Sequence, residues 1–250
     1  MSKSPAVRKL VACSVLAALL GLSACGIPHS GVPGSVAPAT PPKPALNSGA
    51  AAVLGEALIH AATVNDTAEV SRLLEAGAPL EYRGDDARTA LLAATRANSI
   101  EAARELMVHG ANVNAKDTLK DSAFLYAGAE GLTEILGLTL EHGADVHATN
   151  RHGDTALIPA CEHAYVATVE ILTDTDIDVD HVNDLGLTCL LAAVTRGDGS
   201  QPYQEVVETV LDVGANPAIA DPKGKTALDH AREKKQSAVV KLLESAGPPS

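Results

Sequence analysis

Apolar and polar positions recur with a period of 33 residues along most of the chain. Glycine–alanine pairs begin at Gly77, Gly110 and Gly143, and a further pair begins at Gly214 after a five-residue insertion. Hydroxyl residues follow the same spacing at Thr89, Ser122, Thr155, Thr188 and, after the insertion, Thr226. An alanine stands five residues after each hydroxyl and continues the series backward to Ala61: Ala94, Ala127, Ala160, Ala193, Ala231. The pattern predicts a stack of similar modules.

Each recurring position has a structural use in a pair of helices. The Thr or Ser can cap the first helix by accepting a hydrogen bond from a free backbone N–H group. The alanine allows close approach of neighbouring helices, and the glycine suits the left-handed residue that ends the second helix. About ten polar residues separate the glycine from the next hydroxyl, as in residues 144–154, and they predict a hairpin-like finger.

The period and spacing resemble those of the ankyrin repeat family, whose modules carry a T-P-L-H-x-A pattern. The closest segments are Thr89-Ala90-Leu91-Leu92-Ala93-Ala94 and Thr155-Ala156-Leu157-Ile158-Pro159-Ala160, which lack the Pro and His of the family at their usual places. The resemblance implies an all-α solenoid of paired helices with short β-hairpin-like fingers. It also implies that partners bind at the finger tips and at the inner-helix face.

The predicted repeat domain occupies residues 51–250. Its six repeats fall at about 56–88, 89–121, 122–154, 155–187, 188–225 and 226–250. The fourth departs most from the pattern, because Asp176 replaces the helix-ending glycine and Pro159 enters the opening turn of the first helix. We therefore expect the fourth repeat to be the weakest point of the stack.

The amino terminus has the features of an export signal. Lys3, Arg8 and Lys9 precede an uncharged run over residues 10–24, which is shorter than the roughly 20 residues of a membrane-spanning helix. The run ends in Leu22-Ser23-Ala24-Cys25, which resembles a bacterial lipobox. The resemblance implies that residues 1–24 are removed and that Cys25 carries S-diacylglycerol and N-acyl groups. Residues 25–50 then form a tether rich in Pro, Gly, Ser and Ala, and the protein is expected at the bacterial cell membrane, facing the outside or the periplasm.

Composition and charge argue against two classes of function, nucleic-acid binding and catalysis. A formal net charge of −12 argues against a nucleic-acid partner, which would require clustered Lys and Arg. Aromatic residues make up only 2% of the chain, and no catalytic or phosphate-binding motif occurs. We therefore expect no enzyme activity, no cofactor and no small-molecule substrate.

The two cysteines of the repeat domain, Cys161 and Cys189, are exported with it in this interpretation. Cys161 is expected late in one inner helix and Cys189 at the start of the next. That offset argues against a disulfide between them and favours two small core residues.

Two side-chain groups invite a metal interpretation. His142, His147 and His152 are spaced by five around one finger, which allows zinc ligation but matches no known spacing. Asp residues also alternate from Asp174 to Asp180, but a calcium loop starting at Asp174 would need glycine and glutamate where Val179 and Leu185 stand. Solvated polar fingers are the favoured interpretation of both groups, so no metal is expected.

The function that remains is binding of an unidentified protein partner. We expect the chain to act as a scaffold, a sequestering agent or an inhibitor that its lipid tethers to the membrane. Exposed aromatic and arginine side chains are the favoured anchors of protein interfaces. The candidates in the fingers and beside the insertion are Tyr82, Arg83, His147, Arg151, His152 and Tyr203. A structural spacer without a specific ligand and a cryptic hydrolase are the alternative functions.

Overall fold

The computed structural model describes residues 48–246, so Cys25, the predicted signal and nearly all of the predicted tether lie outside the described residues. The described chain contains twelve α-helices, which pair in chain order, and its only β-type pairing is an isolated bridge between Ala220 and Thr226. The predicted all-α fold is confirmed. The helices are α1 Ser48–Thr63, α2 Thr67–Ala76, α3 Ala90–Arg96, α4 Ile100–Val108, α5 Ala123–Ala129, α6 Thr133–Glu141, α7 Leu157–Glu162, α8 Val166–Thr173, α9 Cys189–Arg196, α10 Gln201–Asp212, α11 Ala227–Glu233 and α12 Ser237–Ser245. Among these, no helix has both the length and the apolar character needed to cross a membrane.

The helices form two layers with one continuous core. The first helix of each pair, here called the inner helix, packs against the inner helices of adjacent repeats, and the second, or outer, helices do the same. The recurrent alanines lie between inner helices and are at most 2% exposed: Ala61, Ala94, Ala127, Ala160, Ala193, Ala231. Larger side chains at these positions would separate the helices, which explains the period of the pattern.

Helix ends follow the predicted chemistry in four of the five hydroxyl-led repeats. The side-chain oxygens of Thr89, Ser122, Thr188 and Thr226 each accept a hydrogen bond from the backbone N–H group three residues later. The left-handed glycines are also confirmed at the ends of outer helices, where Gly77, Gly110, Gly143 and Gly214 have φ values of 95°, 90°, 82° and 98°.

The fourth repeat has neither the side-chain cap on its inner helix nor the left-handed glycine at the end of its outer helix. In the other four repeats the residue four positions after the capping hydroxyl donates its N–H group to the capping residue's carbonyl, and Pro159 has no N–H group to donate. The Thr155 Oγ1 atom is buried without a hydrogen-bond partner among the described residues. Helix α7 is accordingly the shortest, with six residues.

Asp176 stands at the position of the helix-ending glycine in this repeat, and the hydroxyl of the preceding Thr175 makes the hydrogen bonds that end the helix. In the regular repeats an alanine N–H group, such as that of Ala144, bonds to a carbonyl five residues earlier. The corresponding N–H group of Ile177 instead donates to Thr175 Oγ1 at 3.2 Å, and this hydroxyl donates to the Leu172 carbonyl at 2.6 Å. The Thr175 side chain thus ends α8 without a residue in the left-handed conformation.

The prediction that Cys161 and Cys189 are not bonded is wrong. The two residues form a disulfide with a Cα–Cα distance of 5.4 Å, and both are buried. The offset along the helices misled the sequence argument, because α7 and α9 pack side by side closely enough for the end of one to meet the start of the other. The bond joins the irregular fourth repeat to the fifth.

The insertion in the fifth repeat is packed against its neighbours. Lys234 Nζ donates to the carbonyls of Val194, Thr195 and Gly197 at the end of α9. The Gln236 side-chain amide donates to two of the same carbonyls. The sixth repeat therefore holds the segment through which the chain leaves α9 and enters the longer helix α10.

Candidate partner-binding surface

Each of the last four fingers is built around one Asp or Asn side chain. Its Oδ1 atom accepts hydrogen bonds from the N–H groups two and four residues later, and its own N–H group bonds to the carbonyl four residues later. These residues are Asp117, Asn150, Asn183 and Asp221. They follow the 33-residue period, with the five-residue insertion before Asp221, and this signal was missed in the sequence. Each tip is thereby held as a compact turn.

The finger tips are also joined to one another by backbone hydrogen bonds. Each of these hydrogen bonds joins equivalent positions of two adjacent fingers. The Thr118 N–H group donates to the Asp86 carbonyl at 2.9 Å, the Arg151 N–H group to the Leu119 carbonyl at 3.2 Å, and the Asp184 N–H group to the His152 carbonyl at 3.1 Å. The first four fingers therefore form an ordered row of tips with fixed spacing.

The predicted anchors of the first finger are engaged in packing within the stack. Tyr82 is half-buried against Gly55, and its hydroxyl hydrogen-bonds to Glu56 at 3.0 Å. This hydrogen bond is the main cause of the raised pKa of Tyr82. Arg83 is exposed, but its Nη1 atom donates to the Lys116 carbonyl at 2.7 Å and so links the first finger to the second.

Tyr203 is likewise positioned by the fold. Its ring covers Gly197, and its hydroxyl donates to the Glu162 carbonyl at 3.1 Å. Burial is the main cause that raises the pKa of this hydroxyl. Tyr203 therefore connects α10 to the fourth repeat.

The third finger presents three of the predicted residues to solvent. His147 is exposed, with Nε2 3.6 Å from an Asp176 carboxylate oxygen. At the tip, Arg151 Nε donates to His152 Nε2 at 2.9 Å, and both side chains are exposed. The structure thus places Arg151 and His152 together.

A charged cluster lies beside this pair. The Arg96 guanidinium of α3 stacks over the Tyr126 ring of α5, with Cζ 4.4 Å from the ring centroid. Half-buried Asp121 interacts electrostatically with Arg96, Arg151 and His152. We call Arg96, Asp121, Tyr126, Arg151 and His152 the central patch.

The central patch combines cationic side chains with a partly buried carboxylate. Burial, followed by the nearby Asp117 carboxylate, raises the pKa of Asp121, while the neighbouring cations oppose that shift. Within residues 48–246, Arg96 Nη1 and Asp117 Oδ2 are buried and have no hydrogen-bond partner. Leaving these two atoms unpaired costs free energy in the fold, because neither water nor the protein replaces their hydrogen bonds. Arg96 and Tyr126 were not predicted, because no sequence signal shows that residues 30 apart stack.

The possible metal ligands do not converge in the described part of the chain. No group of three or more His, Cys, Asp or Glu side chains there could hold a metal ion. In the third finger, His142 Nδ1 lies 2.8 Å from the Leu138 carbonyl of its own helix, whereas His152 faces Arg151.

Comparison with known proteins agrees with the repeat architecture. A family model for three ankyrin repeats matches residues 124–221, and a single-repeat model matches residues 86–118. A stretch of 63 residues is 40% identical to the ankyrin repeat protein YahD of Escherichia coli K12, covering 25% of this chain and 31% of YahD.

Solved structures extend the similarity to about three quarters of the chain. An ankyrin repeat domain from Acinetobacter baumannii is 47% identical, with a TM-score of 0.74, over 76% of this chain and 97% of the other. The ankyrin repeat protein EF0377 is 37% identical, with a TM-score of 0.73 and the same coverage. The ankyrin repeat domain of Bcl-3, an IkappaB family member, is 26% identical, with a TM-score of 0.69, over 77% and 86% of the two chains.

Proposed function

Because the chain belongs to the ankyrin repeat family, we propose that it is a non-enzymatic module that binds another protein, with the central patch as the contact site. Solenoids of this kind present an extended surface, since each repeat contacts only its neighbours. The observation that carries the proposal is the stacked Arg96–Tyr126 pair, whose guanidinium shares the Asp121 carboxylate as a charged neighbour with Arg151 and His152. Arginine and tyrosine are enriched among the side chains that dominate binding energy.

The proposal includes display of the module at the bacterial cell envelope by lipid on Cys25. Its support is the lipobox-like segment Leu22-Ser23-Ala24-Cys25 after an uncharged run of residues. Two or more acyl chains anchor a protein stably, whereas a single chain is marginal. In cells that express the full chain, Cys25→Ala should move the protein from the membrane fraction to the soluble fraction. Equal retention of the variant in membranes would contradict the anchor.

Binding is tested by affinity capture of the lipidated protein from detergent-solubilised membranes, followed by mass spectrometry. Arg96→Gln and Arg151→Gln should each reduce recovery of a stoichiometric partner by about tenfold, the effect of losing an interface anchor. Arg104→Gln is the matched control, because Arg104 is an exposed arginine of outer helix α4. A partner recovered equally with all three variants would contradict the central patch. Recovery of no stoichiometric partner would favour the structural spacer.

A further inference from the structure

The row of finger tips is interrupted between the fourth and fifth fingers. The position equivalent to the donors Thr118, Arg151 and Asp184 is occupied by Pro222, which has no N–H group. The Leu185 carbonyl, equivalent to the three acceptors, thus lacks the donor that its counterparts have. The Pro222 ring instead covers Gly186, where an added Cβ would lie 2.4 Å from Pro222 Cγ.

A cavity of about 340 Å³ opens at this interruption. Leu185 and Leu187 of the fourth finger line one side, and Pro222 and Lys223 of the fifth finger line the other. Thr195 and Arg196, at the end of α9, and Asp221 complete the lining. Leu185 is 57% exposed, so its apolar side chain is accessible to a ligand in the cavity. The volume suits one or two side chains of a bound peptide.

Three charged side chains line the cavity, namely the cations Arg196 and Lys223 and the carboxylate Asp221. The Asp221 carboxylate is engaged by His230 Nε2 at 2.9 Å and by the N–H groups of Lys223 and Lys225. Lys223 is exposed, and within residues 48–246 the one ion pair of Arg196 is a long contact of 3.7 Å with Glu162. Two cations therefore border an apolar cavity on a protein whose net charge is −12. This local charge complements an acidic ligand.

We infer that this cavity, here called the finger-gap pocket, binds an extended acidic segment of the partner protein. A bulky apolar side chain of the segment occupies the space between Leu185 and Pro222. An adjacent carboxylate lies between Arg196 and Lys223, and a backbone N–H group of the segment donates to the Leu185 carbonyl. Extended peptides bind sheet edges by the same combination of main-chain hydrogen bonds and side-chain pockets. The inference rests on the proposed function and assigns the chemistry of the partner.

The test uses purified full-length protein and an array of capped pentapeptides in which one Leu, Ile or Phe stands one to three residues from one or two Glu. Binding is measured by fluorescence anisotropy, and each acidic peptide has a Gln-substituted counterpart. At least one acidic peptide should bind, and its Gln counterpart should bind about fivefold more weakly. Added salt should weaken binding of the acidic peptide more strongly than binding of its counterpart.

Variants then locate the site. Leu185→Ser should weaken the bound peptide about tenfold, whereas Val182→Ser should not, although Val182 is 48% exposed on the same finger. Lys223→Gln should weaken binding about threefold and reduce its dependence on salt, whereas the outer-helix control Arg104→Gln should not. Loss of affinity in the Leu185 and Lys223 variants alone supports the inference.

The outcomes separate the pocket from the proposed function. If no peptide binds, or if Leu185→Ser and Val182→Ser act equally, the pocket is overturned even when the central patch captures a protein. If pocket-dependent peptides bind but no protein is captured through Arg96 and Arg151, the pocket stands and the proposed patch fails.

Discussion

Reduction of the Cys161–Cys189 disulfide should destabilise the repeat stack. The bond closes a loop with a sequence separation of 28 residues. The chain-entropy relation for a loop of this length gives about 3.6 kcal/mol of stabilisation at 25 °C, through restriction of the unfolded chain. The effect should be strongest in the fourth repeat, whose Thr155 cap is unpaired and whose Pro159 lacks a hydrogen-bond donor.

The assay is urea unfolding followed by circular dichroism, with and without a phosphine reductant. The reductant should lower the urea midpoint of the natural protein by about 1–2 M, given slopes of about 2–3 kcal/mol per M for a domain of this size. A Cys161→Ala, Cys189→Ala double variant should already unfold early and should not respond to the reductant. Because this variant lacks only the two bonded cysteines, any response to the reductant would have to arise elsewhere in the chain.

Hydrogen exchange shows where the loss occurs. In the reduced protein, amides of residues 155–187 should exchange faster than those of the second and third repeats, because neighbouring repeats open locally. An unchanged urea midpoint on reduction of a protein shown to contain the bond would refute the stabilising role. Slower exchange at residues 155–187 than in the second and third repeats would refute the weakness of the fourth repeat.

Three further changes test individual contacts. Thr175→Val should cost about 1–2 kcal/mol in urea unfolding, because the Ile177 N–H group and the Leu172 carbonyl lose their shared hydroxyl partner. An unchanged midpoint would show that the hydroxyl does not end α8. Lys234→Met should cost about 1 kcal/mol, because the carbonyls that end α9 lose a cationic donor, and Lys235→Met should cost less. Hydrogen bonds, first from the Lys225 N–H group, lower the pKa of Asp221. This carboxylate therefore stabilises the fold above its ordinary pKa of about 3.9, and the stabilisation is lost as the pH falls through the lowered value. Asp221→Asn should have a lower melting temperature at pH 7 and a smaller loss between pH 5 and pH 2, and parallel pH curves for the two proteins would contradict this role.

The sequence was sufficient to predict the repeating architecture because each recurrent residue has a local use. A buried alanine between helices, such as Ala127, and a left-handed glycine, such as Gly143, are required wherever the same two helices pack in the same way. The structure differs at the start, where α1 begins at Ser48, within the predicted tether. The sequence has Asn47, Ser48 and Gly49 at that boundary, but these residues are also typical of a polar tether.

Contacts between repeats could not be derived from the pattern alone. The Cys161–Cys189 bond depends on how far α7 and α9 are offset along their axes, and a periodic sequence does not give that distance. Tyr82 and Tyr203 were selected as exposed aromatic residues, yet each covers a glycine, Gly55 or Gly197, that leaves space for a ring. Gly55 and Gly197 are small enough to accept these rings, and neither pairing can be recognised from local sequence.

The candidate surface was predicted only in part for the same reason. Arg151 and His152 could be placed at a finger tip by counting residues, because the finger begins at a fixed distance from Gly143. Arg96 could not be assigned to the same surface, since its neighbour Tyr126 belongs to the next repeat and Asp121 lies at the far end of its own. The stacking of repeats, rather than any motif, brings these charges together.

Site-specific photocrosslinking of the full-length protein in its native membrane tests most directly whether partners bind at the fingers and inner helices. A photoreactive residue would replace Leu119 or His152 at the finger tips, or Glu101 or Glu134 on the outer helices. We predict a crosslinked protein adduct from the two finger positions and not from the two outer positions. Adducts from Glu101 and Glu134, with none from Leu119 and His152, would contradict the account.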